Sequence, residues 1–148
     1  MNIEVINRPP PLPKRPKDGH KGIFGRVLIV GGSDGMPGAP VLAGNTALRA
    51  GSGLVQIAAP REILHFCLTM GMELIGLGLD DDNLDALIDA ADKADALVVG
   101  PGIGTTPAAR QRVLRLARLD KPMVIDADAL NLLAAETSWP ADLSRRAI

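Results

Sequence analysis

The chain has 148 residues, of which 47% are hydrophobic and 22% are charged, and its formal net charge is −1. This composition is typical of a single globular domain with its own core, and the near-zero charge excludes strong attraction to nucleic acid or to anionic membranes. No apolar run approaches the roughly 20 residues that span a bilayer, one cysteine cannot form an internal disulfide, and the first residues lack the apolar segment of a signal peptide, so we expect a cytoplasmic protein.

The first 18 residues are rich in proline and are expected to lie outside the folded domain. They carry five of the twelve prolines of the chain. Such a stretch cannot be helical and indicates an extended arm, either a disordered leader or an arm that packs on a neighbouring subunit. Residues 19–148 form the predicted domain. In its first loop, Lys21 is a candidate phosphate ligand, although the residues alone favour a solvated loop.

The segment 27–58 predicts a strand, a glycine loop, a helix and a second strand. Four apolar residues, 27–30, end abruptly at the sequence GGSDG, and a helical pattern follows over 39–50. Gly51 then suits the C-terminal cap, and residues 54–58 form the next apolar run. A parallel strand pair requires such a crossover. Glycines at this junction let a ligand approach the backbone, and the helix start offers N–H groups to an anion.

The middle of the chain continues the alternation of helices and strands. A helix is predicted over 61–70, the stretch 72–79 has no clear type, and the acidic run 80–82 is interpreted as the start of a further helix rather than as a metal site. Residues 96–99 read as a strand that ends in GPGIG. Thr106 is placed as the N-cap of the next helix, with Pro107 in its first turn. We expect the four arginines of that helix, at positions 110, 112, 115 and 118, to be solvated.

A last short strand, 123–125, ends in the sequence DADALN. The alternation predicts an α/β fold with a doubly wound, mostly parallel sheet and helices on both faces. Because ligands of such sheets bind outside the carboxyl ends of the strands, the turns beginning at Gly31, Gly100 and Asp126 should share one rim. Asp126 and Asp128 could accept hydrogen bonds from substrate hydroxyls or hold hydrated Mg²⁺, but Asp128 could equally be a helix N-cap. Asn131 is a further polar candidate.

Several familiar sites are excluded by the sequence. It contains no P-loop, no G-x-G-x-x-G directly after the first strand, no Cys/His cluster for zinc and no G-x-S-x-G elbow. Three segments in order, HKGIFGRVLIVGGSDGMPGAPVLAGNTALRAGSGLVQIA, VVGPGIG and PMVIDADALNLL, instead resemble the ADP/ATP-dependent NAD(P)H-hydrate dehydratases, which have a ribokinase-like fold. The resemblance extends from His20 to about Leu133.

This resemblance implies a repair reaction. The substrate would be NADH or NADPH with water added to the nicotinamide ring, and ADP or ATP with Mg²⁺ would phosphorylate the added hydroxyl so that phosphate can leave. The residues implied in binding the hydrate are Gly38, Ala39, Gly102, Gly104, Asp126, Asp128 and Asn131. Those implied on the co-substrate side are Gly31, Gly32, Ser33 and Lys21. The resemblance implies no metal ligands that we can name.

The sequence departs from the family in one respect, and this departure limits the activity that we expect of it. The family's Gly-x-Gly-Asp motif, which supplies its catalytic base, does not occur in these 148 residues. We therefore expect the N-terminal half of a ribokinase-like domain, inactive alone, with no catalytic residue assigned, and a tendency to form homo-oligomers through incompletely covered surfaces. Two other interpretations stay open: a ribokinase-like kinase of a vitamin-precursor alcohol, and a non-catalytic nucleotide-binding fragment.

Overall fold

A computed structural model describes residues 14–81 and 84–148 of the chain. In these residues a single parallel sheet has the strand order β3-β2-β1-β4-β5. The strands are β1 (Arg26–Val30), β2 (Leu54–Pro60), β3 (Ile75–Leu79), β4 (Ala96–Val99) and β5 (Met123–Ile125). The parallel α/β architecture predicted from the alternating pattern is confirmed.

Helices cover both faces of this sheet. They are α1 (Gly38–Ala50), α2 (Arg61–Met70), α3 (Leu84–Asp92), α4 (Pro107–Leu116), α5 (Asp128–Ala134) and α6 (Leu143–Arg146). Helices α1 and α2 pack on one face with Ile29 and Ile57, and the others pack on the opposite face with Leu28 and Val30. Because successive residues of β1 are buried on opposite faces, this strand is apolar from Val27 to Val30. None of the helices in the described part of the chain is long and apolar enough to cross a membrane.

The predicted element boundaries agree with the structure to within about two residues. Gly51 ends α1 in the left-handed conformation, with φ of 113° and its N–H bonded to the carbonyls of Ala47 and Leu48. Thr106 caps α4, because its side-chain oxygen accepts from the N–H of Ala109 at 3.2 Å. The stretch 72–79, for which the sequence predicted no clear type, contains strand β3. In this strand Gly76 leaves room for leucines of α2.

One expectation about charged residues was wrong. Arg112, expected in solvent, is only 6% exposed and donates to the backbone carbonyl of Asp80 and to the carboxylate of Asp81. The acidic run was expected to start a helix, and α3 does begin two residues after it, at Leu84; Asp80 and Asp81 also form ion pairs with Arg61 and Arg112. Residue 82, the third member of the run, lies outside the described residues.

The predicted proline-rich arm, 1–18, lies mostly outside the described residues. Its last residues pack on their own chain. The guanidinium of Arg15 lies 4.3 Å from the centre of the Phe24 ring and donates to the carbonyl of Gly51. At the other end of the sequence, Ala147 and Ile148 pair with β5 in parallel.

Candidate functional site at the carboxyl ends of the strands

The predicted rim lies where the direction of strand order reverses. Strand β1 lies between β2 and β4, so the crossovers that start from β1 and β4 leave in opposite directions. Val30 is in register with Val99, and Val99 with Ile125. The next residues are Gly31, Gly100 and Asp126, so the three turns are neighbours, as the sequence predicted. Such a reversal point is where open α/β sheets bind ligands.

Backbone contacts join the first two loops. The N–H of Gly32 donates to the carbonyl of Pro101 at 2.8 Å, and a Cβ at Gly31 would collide with that carbonyl. Further along, a Cβ at Gly102 would lie 3.1 Å from the Cβ of Ala39. The glycines of these loops are therefore required for one loop to pack closely against the other.

Asp128 joins the second loop to the third. Its Oδ2 accepts from the backbone N–H of Gly104 at 3.1 Å, and its Oδ1 accepts from the side-chain amide of Asn131 at 3.4 Å. The residue at the N-cap position of α5 is Ala127, and no side chain caps this helix. The interpretation of Asp128 as an N-cap is therefore wrong. Its carboxylate holds the GPGIG loop, since both oxygens have partners inside the chain.

Asp126 differs from Asp128, because its side chain is exposed at the rim while its backbone is fixed. Its N–H donates to Val99 at 2.9 Å, and its carbonyl accepts from Ala129 at 3.1 Å. The following residue, Ala127, has φ of 47° and is the one non-glycine residue with positive φ in the described part of the chain. Because alanine seldom adopts this conformation, the turn is strained, and no pattern in the sequence indicates it.

The start of α1 is open toward the rim. Its N-cap is Pro37, no side chain caps it, and a Cβ at Gly38 would meet no atom within 4 Å. The first-turn N–H groups of Gly38 and Ala39 have no partners within the helix, and they carry the positive end of the helix dipole. The rim therefore combines donors for an anion with the exposed carboxylate of Asp126.

The predicted residues are not equally accessible. Ser33, Gly38, Ala39, Gly104 and Asp128 are partly exposed, and Asp126 and Asn131 are exposed. Gly31, Gly32 and Gly102 are buried, so they shape the loops without offering surface to a ligand.

Lys21 lies apart from the other predicted residues. It is in a 3₁₀ turn, Lys21–Ile23, before β1, and its carbonyl lies against Gly53, just before β2. The turn is at the amino ends of the strands, and the five residues of β1 separate it from Gly31 by about 17 Å. The predicted grouping of Lys21 with the glycine loop is therefore wrong, because within this chain Lys21 lies on the opposite edge of the sheet.

Asp126 is a carboxylate at the rim that suits a metal bound through a ligand. Residues 14–81 and 84–148 contain no cluster of three His, Cys, Asp or Glu side chains that would form a protein cage. Mg²⁺ does not need such a cage, because it retains waters and is often bound by one or two carboxylates together with substrate phosphates. Asp126 fits that role, whereas Asp128 is already occupied by Gly104 and Asn131.

Known proteins match this fold and these loops. The family model for NAD(P)H-hydrate dehydratase matches residues 27–148. The bifunctional NAD(P)H-hydrate repair enzyme of Moorella thermoacetica is 42% identical over 135 residues, which are 85% of this chain and 26% of that protein. The chain thus spans about a quarter of the length of this relative.

Two solved structures agree with the match. A ribokinase-like superfamily protein from Enterococcus faecalis has a TM-score of 0.73 at 25% identity, covering 82% of this chain and 43% of its own. The ADP/ATP-dependent NAD(P)H-hydrate dehydratase of Bacillus subtilis, co-crystallized with ATP/Mg²⁺, has a TM-score of 0.68 at 32% identity, covering 87% of this chain and 45% of its own. The fold is ribokinase-like, and the chain belongs to the NAD(P)H-hydrate dehydratase family.

Proposed function

We propose that the rim of this chain forms the substrate-facing wall of an NAD(P)H-hydrate dehydratase that uses ADP or ATP. The observation that carries the proposal is the junction of three loops at the reversal point, where the open start of α1 and the exposed carboxylate of Asp126 lie at the same edge of the sheet. The names of the relatives support the same chemistry, since the Bacillus subtilis protein is an ADP/ATP-dependent dehydratase.

The reaction needs a better leaving group than hydroxide. The hydroxyl oxygen of the hydrated ring attacks the terminal phosphorus of ADP or ATP, so that a new O–P bond forms while the bond to the leaving AMP or ADP breaks. The hydroxyl proton passes to a base. The C–O bond then breaks, phosphate leaves with the electron pair, and loss of a proton from the adjacent ring carbon restores the double bond. Such a transfer depends on positioning and electrostatic stabilisation.

The described residues fit the positioning part of this reaction. The N–H groups of Gly38 and Ala39 suit a phosphate of the dinucleotide, and Ser33 adds a hydroxyl beside Gly104. Asp126 accepts a hydrogen bond from the substrate hydroxyl, and Asn131 offers a further polar group. Asp126 would hold Mg²⁺, which would supply positive charge near the transferring phosphoryl group.

Binding is tested by amide NMR on the 148-residue chain titrated with NADH-hydrate. We expect shifts at Gly38, Ala39, Gly104 and Asn131, and a dissociation constant raised about tenfold or more by Asp126→Asn. Asp120→Asn is the matched control, because Asp120 is equally exposed but precedes β5 and lies at the opposite edge. Shifts confined to the amino ends of the strands, or equal effects of the two variants, would contradict the proposal.

Turnover is a separate question. Because the family's Gly-x-Gly-Asp motif is absent from the 148 residues, we propose that this polypeptide alone forms no NADH from the hydrate with ADP or ATP. The measurement is the near-ultraviolet absorbance of NADH over time, with Mg²⁺ present. Robust NADH formation would refute the claim of inactivity. Phosphorylation of a thiazole or pyrimidine alcohol would favour the vitamin-precursor kinase instead.

A further inference from the structure

A depression at the amino ends of the strands has no part in the chemistry of the rim. It has a volume of about 490 Å³ and lies between the 3₁₀ turn before β1 and the end of α1. We call it the amino-edge depression, and its lining includes Lys14, Arg15, Pro16, Ile23, Phe24 and Gly51. Its volume is within the range of small-molecule sites, about 300 to 1,000 Å³.

Positive charge is concentrated around the amino-edge depression. Residues 14–21 contain four lysines and arginines and one aspartate, a net charge of +3, whereas the whole chain has a net charge of −1. Arg49 adds a cation next to the lining, one residue before Ala50. None of these five cations forms an ion pair with the residues that the structure describes. Exposed cations without partners attract an anion of several charges.

Lys21 is a member of this group of cations. The sequence predicted it as a phosphate ligand, and the structure places it on the edge opposite the glycine loop. Its carbonyl accepts from the N–H of Phe24 at 3.4 Å, so the turn that carries Lys21 leads directly into the lining of the depression. The phosphate-binding character predicted for Lys21 therefore suits an anion at the amino ends of the strands.

Arg15 gives the depression a flat cationic surface. Its guanidinium lies 4.3 Å from the centre of the Phe24 ring and donates to the carbonyl of Gly51 at the end of α1. This hydrogen bond offsets the negative end of the α1 dipole, which would otherwise repel an anion. Guanidinium planes stack on aromatic rings and on nucleotide bases. Ile23, which is 53% exposed, adds apolar surface to the same lining.

We propose that the amino-edge depression binds a nucleoside diphosphate or triphosphate, at a site separate from the rim. Lys14 and the neighbouring cations bind the phosphates, and the base packs on the guanidinium of Arg15 and on Ile23. An inorganic anion would leave the apolar part of the lining unused. A nucleic-acid strand needs aromatic side chains on which successive bases stack, and the chain has only two phenylalanines, one tryptophan and no tyrosine.

Amide NMR on the 148-residue chain titrated with ADP in the presence of EDTA tests the proposal. The amides of Phe24 and Gly51 report on the amino-edge depression. We expect Lys14→Glu to raise the dissociation constant measured from them at least about tenfold. Lys93→Glu is the matched control and should change it less than about twofold, because Lys93 is also exposed and near the amino ends of the strands but follows α3 on the other face of the sheet.

Two comparisons identify the part of the ligand that is recognised. ADP should bind at least about fivefold more tightly than inorganic pyrophosphate, because the base adds a stacking contact. Arg15→Lys keeps the charge but removes the plane, so it should abolish this preference. Asp126→Asn should leave both dissociation constants unchanged, so the proposed role of the rim can fail without affecting this site. Circular dichroism should show these variants folded, because the three side chains are exposed.

Several results would overturn the proposal. They are an absence of shifts at Phe24 and Gly51 in millimolar ADP, equal weakening by Lys93→Glu and Lys14→Glu, and binding of pyrophosphate as tight as that of ADP. A preference for ADP that persists in Arg15→Lys would also count against it. Displacement of ADP by a lower concentration of a single-stranded oligonucleotide would overturn it in favour of a nucleic-acid surface.

Discussion

Two acidic segments follow the two outermost strands of the sheet, and their side chains have different surroundings. After β3, Asp80 forms two hydrogen bonds with the guanidinium of Arg61, at 3.0 and 2.8 Å, and Asp81 pairs with Arg112. After β5, Asp128 holds the N–H of Gly104, and Asp126 forms no ion pair with the described residues. The first segment is paired with arginines, and the second leaves the Asp126 carboxylate exposed, with no ion pair among the described residues.

The difference shows how a free carboxylate can be kept at a precise position. The β5 turn is fixed through its backbone, because the carbonyl of Asp126 packs against Gly100 and its N–H bonds to Val99. The β3 turn is fixed through its side chains. A turn held by its backbone leaves the side chain of Asp126 available, so the β5 segment is the better candidate for the chemistry of the rim.

The largest expected effect comes from disrupting the backbone contacts that fix the β5 turn. Gly100 has φ of 123°, and a Cβ there would lie 1.9 Å from the carbonyl oxygen of Asp126. Gly100→Ala combines left-handed strain with a collision against backbone, and we expect a loss of about 3 to 5 kcal/mol in the free energy of unfolding. Urea denaturation followed by circular dichroism measures it.

The matched control for this substitution is Gly35→Ala. Gly35 also has positive φ, 78°, but a Cβ there would meet no atom within 4 Å. Only the strain remains, so the expected loss is about 1 kcal/mol. Equal losses in the two variants would show that packing against Asp126 is unimportant to the turn.

The next largest effect on stability concerns the side-chain hydrogen bonds that fix the β3 turn. Arg112→Met keeps the apolar stem of the side chain but removes its hydrogen bonds to Asp80 and Asp81. We expect a loss of about 1 to 2 kcal/mol in the free energy of unfolding. Arg115→Met, one turn further along α4 and exposed, should change stability by less than about 0.5 kcal/mol. If both variants were neutral, the buried guanidinium would not hold the turn.

The sequence predicted those features that depend on local pattern. Apolar runs located the strands, and the rule that parallel strands end at one edge brought Gly31, Gly100 and Asp126 together. The same rule accounts for Lys21. Because it precedes β1, it lies at the amino ends of the strands, on the edge opposite the glycine loop.

Other features depend on partners that are distant in the sequence. The burial of Arg112 results from the carbonyl of Asp80, 32 residues away, which no periodicity in α4 indicates. Asp128 similarly accepts from Gly104, 24 residues earlier. The glycine motifs were visible, but whether each glycine faces a ligand or another loop depends on packing, and Gly31 and Gly102 face other loops.

The smallest expected effect is the pH dependence of stability that results from the pairing of Arg61 with Asp80. The hydrogen bond from Arg61 holds the pKa of the Asp80 carboxyl below its ordinary value. The pair therefore stabilises the fold above the unfolded aspartate pKa of about 3.9, and this contribution is lost as the pH falls through the lower folded pKa.

Because Arg61 and Asp80 are both well exposed, solvent screens the pair and the change is small. Urea midpoints measured from neutral pH down into this acid range should fall less steeply for Asp80→Asn than for the wild type. Asp142, whose pKa is lowered by its hydrogen bond from Arg146, should maintain part of the acid dependence in both proteins. An acid slope as steep in Asp80→Asn as in the wild type would mean that the pair with Arg61 does not stabilise the β3 segment, and the contrast between the two acidic segments would fail.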